Sequence, residues 1–425
     1  MDSLALAAEI FTALLTVSGI VYSVMALWAA RRFERTGAPG QHRGPQRAGL
    51  VGVELAGWGG ERTPAPASDP AFTPGITILK PIKGVDPRMH AGLASHCAQN
   101  YLGEFEILFG VSSLSDPAVA EVARLRVDNP HLDIRLIECP QRLGPNGKLS
   151  NLTQMLPHAR FEHILVNDSD ILVSPSYLTR IAAAFATSAE QKAGTGQNKI
   201  GLVTALYIGI AGNTVWSRLE ALGISTDFIP GALVARALEG GLRFGLGSTL
   251  ATTKSALASI GGFAALTDQL ADDYELGVRL HRAGYRIELL HEIVATSVPP
   301  YTLRGFCDHQ LRWARGTRDS RRAGYLGLGI TYVLPWALLT IVASGGELWS
   351  LTLFSVALLA RIAVALVVGV GLLRDGQVLR DLLLLPLRDL FGLFFWLWSY
   401  ASNTVVWRGE RFRLHRGRLQ KLDDS

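Results

Sequence analysis

The sequence predicts an α/β domain with a mostly parallel sheet, joined to membrane helices on its amino-terminal and carboxyl-terminal sides. Three observations lead there. Of 425 residues 48% are hydrophobic and only 18% charged, against the roughly 25% charged residues of a typical soluble domain. The longest apolar runs cluster towards the two ends of the chain. Between them short β-rich runs alternate with stretches suited to helices, the pattern of βαβ units. This composition excludes disordered and fibrous architectures.

Ile10 to Ala30 form 21 residues without a charge, enough at ~1.5 Å per residue to cross a ~30 Å hydrocarbon core. Arg31, Arg32 and Arg35 follow the run instead of preceding it, which fits a retained membrane helix with a cytoplasmic exit better than a cleaved signal. The segment from Gly37 to Pro74 is rich in Gly, Pro and Ala without periodicity and reads as a linker. Ile76–Leu79, Phe105–Val111, Ile134–Ile137, Ile164–Val166 and Gly201–Leu206 then read as strands. Pro117–Val127 and Leu149–Leu156 suit helices between them.

Further on, Ile330–Ile341, Leu351–Leu373 and Leu382–Trp407 are strongly apolar. Three crossings there would put the following segment outside, yet Arg408 to Lys421 carries six Arg or Lys against one Glu, which argues for the inside. Two crossings reconcile these, with the stretch around Pro386-Leu387-Arg388-Asp389 lying in the interface, because Arg388 and Asp389 are costly at mid-bilayer. The expected organisation is a membrane helix and basic flank at 1–36, a linker at 37–74 and a cytoplasmic α/β domain at 75–324. Membrane segments at 325–407 and a basic cytoplasmic tail at 408–425 complete it. The expected location is the inner membrane, with several crossings.

The formal charge of +5 is small, and no aromatic-basic motif accompanies it, so no nucleic-acid partner is expected. Cys97, Cys139 and Cys307 have neither CxxC nor metal-ligand spacing and read as small apolar residues in a reducing compartment.

Asn167-Asp168-Ser169-Asp170 follows an apolar strand directly. Two carboxylates one residue apart at a strand end can face one Mg²⁺ or Mn²⁺, although Asp and Ser are also ordinary turn residues. Asp268, Asp272, Asp273 and Glu275 enter a helix running through Leu280. One or two acids there serve the helix dipole, while four crowded carboxylates raise one another's pKa and supply a proton acceptor. His309-Gln310-Leu311-Arg312-Trp313 sits in a segment carrying Arg304, Arg315, Arg318, Arg321 and Arg322, the outer arginines being suited to anionic headgroups. Arg312 can pair bidentately with a diphosphate while Trp313 packs on substrate or core. Lys80 to Pro87, Asp116-Pro117 and Gly144 to Lys148 follow strands and read either as turns or, for Lys148, as a flexible cradle near a phosphate.

In their order, Lys80 to Pro87, Asp116-Pro117, Gly147-Lys148, Asp168-Ser169-Asp170, Asp272-Asp273-Tyr274 and Arg312-Trp313 resemble the ceramide glucosyltransferases and their bacterial relatives, glycosyltransferase family 21. The likeness runs from about Thr77 to Gly324. It implies a nucleotide-sugar domain of GT-A type that transfers one hexose from a UDP-sugar to a lipid hydroxyl with inversion. By the same resemblance Asp116 contacts the uridine part, Lys80 and Lys148 belong to the donor site, and Asp168 with Asp170 holds the metal on the diphosphate. Asp273 is then the general base, and Arg312 with Trp313 closes over donor and acceptor. His309 departs from the family's Gln or Arg, and Ser113 stands where relatives often have Asp. The acceptor implied is ceramide with UDP-glucose as donor, or, on the likeness of Phe109-Gly110-Val111 and the 270–277 and 309–313 phrases to a hopanoid branch, bacteriohopanetetrol with UDP-N-acetylglucosamine. A polysaccharide synthase would need a larger helix bundle, and a receptor or transporter would leave the acidic clusters without a role.

Overall fold

The computed structural model describes residues 3–36, 72–86, 88–190, 199–407 and 410–422. Nearly all of the expected linker, together with Pro87 and Arg408, lies outside the described residues. The chain begins with helix α1 (Ser3–Thr36), longer than the charge-free run. Its inward face is built from small residues, Thr12, Thr16, Gly19, Ser23, Ala26 and Ala30 among them. A Cβ at Gly19 would lie 2.8 Å from the Ile330 carbonyl, so glycine there lets two apolar helices approach closely, as packing in lipid favours.

The α/β domain follows as β1 (Ile76–Pro81), α2 (Met89–Cys97), β2 (Phe105–Val111), α3 (Ala118–Asp128), β3 (Asp133–Glu138), α4 (Gly147–Met155), β4 (His163–Val166), α5 (Tyr177–Glu190) and β5 (Ile200–Ala211). It continues through α6 (Val215–Gly223), a π-helical turn (Ile224–Phe228), α7 (Ile229–Leu238), β6 (Leu250–Thr253), α8 (Lys254–Ala258), α9 (Asp272–Arg282), β7 (Arg286–Val298) and α10 (Leu303–Ser320). The seven strands are ordered β3-β2-β1-β4-β6-β5-β7. Strand β6 is antiparallel to both neighbours, and every other pair in this sheet is parallel. The mostly parallel sheet expected from the alternation is therefore present, and each of the five expected strands is a strand of it. Strands β1 and β2 are buried almost throughout, as strands covered on both faces must be.

In the α/β domain β6, β7 and the apolar helical stretch at 215–238 were not anticipated. Strand β6 has only four residues and β7 is interrupted by charges, so neither gives an apolar run. Val215–Leu238 is also long and apolar enough to pass as a span, although 61% of its apolar window is buried inside the protein.

The membrane-side helices are α11 (Arg322–Thr331), α12 (Val333–Ala343), α13 (Leu348–Val364) with a π-helical continuation (Ala365–Leu372), the short α14 (Gln377–Arg380) and α15 (Leu385–Ser399). Among the described residues four helices are long and apolar enough to cross a membrane, or five if the pair α11 and α12, bent by 57°, is one broken span. The interfacial placement of Arg388 and Asp389 is corrected here. Both are buried in α15, Asp389 pairing with Arg361 at 2.9 Å and Arg388 with Asp227 at 2.7 Å. Internal partners, not headgroups, meet the cost of these charges.

The segment expected as a basic tail at 408–425 forms two of three further strands. The apolar run ends at Ser399, and β8 (Thr404–Trp407), β9 (Glu410–His415) and β10 (Arg418–Lys421) form an antiparallel sheet. Val405, Phe412, Leu414 and Leu419 face inward around Leu270, while Arg411, Arg413, Arg418 and Lys421 face outward. The period-two alternation hidden among the basic residues is that of a half-buried strand.

Candidate active site

Of the expected site residues, Lys80, Asp116, Asp168 and Asp170 lie at or just beyond the carboxyl ends of β1, β2 and β4, where ligands bind on open α/β sheets. Strand β4 ends at Val166 and delivers Asp168 and Asp170. Beneath them Asn167 is fully buried, donating to the Tyr177 hydroxyl at 2.9 Å and to the Ser248 carbonyl at 2.7 Å. His96 Nε2 lies 3.2 Å from the Asn167 side-chain oxygen. This buried polar floor fixes the turn that carries the two aspartates.

Lys80 sits next to β4 on β1 with no exposure, and its ammonium donates to the Asp168 carbonyl at 2.9 Å. Burial pushes its pKa down to about 7, against the pull of Asp170 and Asp168. In this position Lys80 supports the backbone of Asp168 from below, in place of the direct contact with a donor that its family role suggests. Asp116 is fixed similarly: its Oδ1 accepts from Gly84 N and from Ala118 N, each at 2.9 Å, joining the β1 loop to the start of α3. Gly84 has φ +68°, a conformation that glycine adopts without strain.

Lys148 is not on a flexible cradle. Asn146 caps α4 by accepting from Leu149 N at 3.2 Å, and its amide donates to the Gln269 carbonyl at 2.9 Å. A Cβ at Gly144 would lie 2.6 Å from the Thr267 carbonyl. The helix start is thus pressed against the loop that precedes α9. From it Lys148 Nζ reaches Asp168 Oδ1 at 2.8 Å and Asp272 Oδ2 at 3.5 Å, joining two acidic groups 104 positions apart in sequence. Burial works against the ammonium, but Asp168 and Asp272 outweigh it and hold its pKa above the ordinary lysine value.

The acidic cluster at α9 divides. Asp268 faces Arg418 at 3.4 Å and Glu275 faces Arg279 at 3.5 Å, one turn along the helix. Only Asp272 and Asp273 turn into the cleft with Lys148. Burial, and then the neighbouring Asp272, push Asp273 up to about 6. Burial also raises Asp272, with Lys148 opposing it. Asp273 Oδ1 accepts from Tyr274 N at 2.8 Å. A Cβ at Gly247 would stand 2.9 Å from Asp273 Oδ2, so glycine leaves space for that oxygen.

Asp170 is oriented by β7, its Oδ2 accepting from Thr296 Oγ1 at 2.6 Å and from Ser297 N at 3.1 Å. Burial and Asp168 raise its pKa. Among the described residues no group of three His, Cys, Asp or Glu side chains is placed to hold a metal. Two carboxylates at a strand end still suit Mg²⁺, which takes one or two protein carboxylates and fills its remaining positions with substrate phosphate and water.

Helix α10 carries the remaining candidates. Trp313 is partly buried against the main core, with its ring 5.9 Å from Phe228 and 5.3 Å from His309. Tyr207 lies 5.6 Å from Phe228, and Tyr301 stacks on His309 at 5.4 Å. These rings form a continuous wall. Arg312 and Asp170 both act electrostatically on Tyr301, and Asp273, Glu220, Asp168 and Asp170 on Tyr207, which puts the wall beside the carboxylates.

The sequence reading missed Glu220, whose Oε2 lies 2.9 Å from His309 Nδ1. Its signal is one of only two acids, with Asp227, in the apolar Val215–Leu238 stretch. The assignment of the basic residues to headgroups is corrected for Arg315, Arg318 and Arg321. Arg315 donates to the Thr404 carbonyl, Arg318 to the Ser399 carbonyl, and Arg321 pairs with Glu239. Arg322 is largely exposed.

A family model described as glycosyl transferase family 21 matches residues 11–420. A ceramide glucosyltransferase of Komagataella phaffii is 35% identical over 115 residues, 26% of this chain and 22% of that protein. Ceramide glucosyltransferase 3 of Caenorhabditis elegans is 25% identical over 249 residues, 57% of this chain and 50% of that protein. The chain thus spans half or less of the length of these curated relatives. A mannosyltransferase of Pyrobaculum calidifontis, solved with GDP-Man and Mn²⁺, aligns over 92% of this chain and 99% of its own at 19% identity and a TM-score of 0.49.

Proposed function

The chain belongs to glycosyl transferase family 21, and we propose that it is a membrane-bound inverting glycosyltransferase that moves one hexose from a UDP-sugar to a lipid hydroxyl. The observation that carries this reading is Lys148, whose ammonium joins Asp168 of the donor side to Asp272 beside the candidate base. A donor site and a proton acceptor then share one cleft, in a protein with four helices among the described residues long and apolar enough to cross a bilayer.

In this reading Asp116 contacts the uridine part and Lys148 turns from its carboxylates towards the diphosphate. Lys80 acts through the Asp168 backbone. A divalent cation held by Asp168 and Asp170 would supply positive charge to the departing diphosphate. Arg312 adds a fixed charge on the same leaving group, and Trp313 closes the aromatic wall over donor and acceptor. The lipid hydroxyl oxygen attacks the anomeric carbon as the bond to the diphosphate oxygen breaks, and its proton passes to Asp273. A carboxylate raised to about 6 is ionised at neutral pH and a stronger base than an ordinary aspartate. One displacement inverts the anomeric centre. The domain would face the cytoplasm at the inner membrane, where the lipid enters from the bilayer.

Glucose and ceramide are the first reading of donor and acceptor, supported by the names of the relatives. The test is incubation of purified protein with UDP-glucose and UDP-N-acetylglucosamine in parallel, each with ceramide and with a polyhydroxylated hopanoid, followed by mass analysis of the glycolipid. Glucosylceramide alone supports the first reading. An N-acetylglucosaminyl hopanoid replaces it, and no glycolipid from any combination rejects the lipid acceptor. A rate unchanged by chelator removes the cation.

A further inference from the structure

We infer that the three-stranded sheet β8–β10 is a positioning element of the active site, clamping α10 to the loop that presents Asp272 and Asp273. The inference rests on the reading of Asp273 as the base. Three sets of contacts converge on this sheet. On the loop side, Leu270 N donates to the Gly417 carbonyl at 3.0 Å, Leu419 N donates to the Asp268 carbonyl at 2.7 Å, and Gln269 pairs with Arg418 as an antiparallel bridge. Leu270, two positions before Asp272, supplies the outside residue of the sheet's own hydrophobic core.

On the helix side, Arg315 reaches β8 and Arg318 reaches the chain leading to it. Arg318 also donates to Asn403 Oδ1 at 2.5 Å. Asp319 accepts from Gly417 N and lies 3.9 Å from Arg322. Gly417 therefore offers its N–H to α10 and its carbonyl to the loop, with φ +80°, so one residue joins the two catalytic elements. They also meet directly: a Cβ at Gly316 would lie 3.3 Å from Leu270 Cδ2. On the third side, Arg142 pairs with Glu410 at 3.0 and 2.6 Å, tying the sheet to the segment that leads into α4 and Lys148. The loop is thus held between the α4 cap on one flank and the sheet on the other. Positions within about half an ångström matter for proton abstraction, and through Gly417 the sheet contacts both α10 and the loop.

The test uses full-length protein in lipid nanodiscs. Asp319→Ala should lower kcat about tenfold, the scale of one hydrogen bond to a charged group, with the UDP-sugar KM within about twofold, and Asp319→Asn should restore most of the loss. A second variant, Gln269→Cys with Arg418→Cys, fixes the bridge covalently, since opposite residues of an antiparallel pair stand within disulfide range. The oxidised form should turn over at the rate of the reduced form. Wild-type kcat in Asp319→Ala, an Asp319→Asn variant no better than it, or an oxidised form that turns over only after reduction would each overturn the clamp. If Asp319→Ala does not fold, the cysteine pair carries the test alone. Asp273→Asn in the same assay separates the two readings: full transfer there sinks the base, whereas its loss beside a normal Asp319→Ala sinks only the clamp.

Discussion

Two clusters of charge, one lining the cleft and one buried between the membrane-side helices, use the same residue types to opposite ends. In the second, Asp227 and Asp389 meet Arg361 and Arg388, acid for base, and Arg361 also donates to the Thr226 carbonyl at 2.9 Å. Gln310 continues this network from Arg388 to Glu220. In the cleft stand four carboxylates, Asp168, Asp170, Asp272 and Asp273, of which Lys148 pairs with Asp168 and Asp272, while Lys80 reaches only a backbone carbonyl. A cluster with matched charges holds helices together, although Asp389 Oδ2 is buried without a hydrogen-bond partner. A cluster with surplus negative charge is incomplete, and it calls for a proton, a cation or a cationic side chain brought by closure.

The largest effect should come from the surplus. Asp273→Asn keeps the shape and removes the proton acceptor, and transfer should fall by about 10²–10⁴-fold with the folded state intact. Full activity in a transfer assay would place the base elsewhere. The matched cluster should respond in the other currency. Arg361→Met strands Asp389 in the interior, Asp227 keeping Arg388, and should cost about 3–5 kcal/mol of stability, measured by thermal denaturation in detergent. The double variant with Asp389→Leu should recover part of that. If Arg361→Met leaves the midpoint unchanged, the distinction between the two clusters fails.

Titration sharpens the comparison further. With Asp273 raised from 3.8 to about 6, kcat/KM should rise with pH up to about 6 and level off above it, as the carboxylate loses its proton. Because the folded-state value is the raised one, the Asp273 contribution to stability is present below its unfolded value and is lost as pH rises through about 6. Lys148 lowers both Asp272 and Asp273, so Lys148→Met should move the rising limb to higher pH and weaken donor binding. A limb that stays put would disconnect Lys148 from the base.

Much of this was legible in the sequence for reasons that can be named. Strands β1, β2 and β4 are buried on both faces and appear as unbroken apolar runs, and the aspartates sit where such a strand stops. What escaped was nonlocal. Nothing near Lys148 announces that Asp272 lies across the cleft, and four acids before Leu280 look alike until Arg418 and Arg279 remove two of them. Arg388 and Asp389 suggested an interface because their partners, Asp227 and Arg361, come from different helices. The β8–β10 alternation was masked by basic outward residues that topology rules also explain.

The smallest effect concerns the exposed counterpart of both clusters. Arg142 and Glu410 form a two-pronged pair, with Lys421 2.9 Å from the same carboxylate. Arg142 and Lys421 hold the Glu410 carboxyl down at about 2, yet the arginine is half exposed and screening by water and salt discounts the pair. Arg142→Ala should therefore cost at most about 1 kcal/mol in thermal stability, shrinking further in high salt. If the pair also serves the clamp, the same variant should lower kcat by a small factor that salt reproduces in the wild type. A loss of several kcal/mol would mean that an exposed pair here behaves like the buried arginine network, and surplus against matched charge would no longer be what separates the two regions.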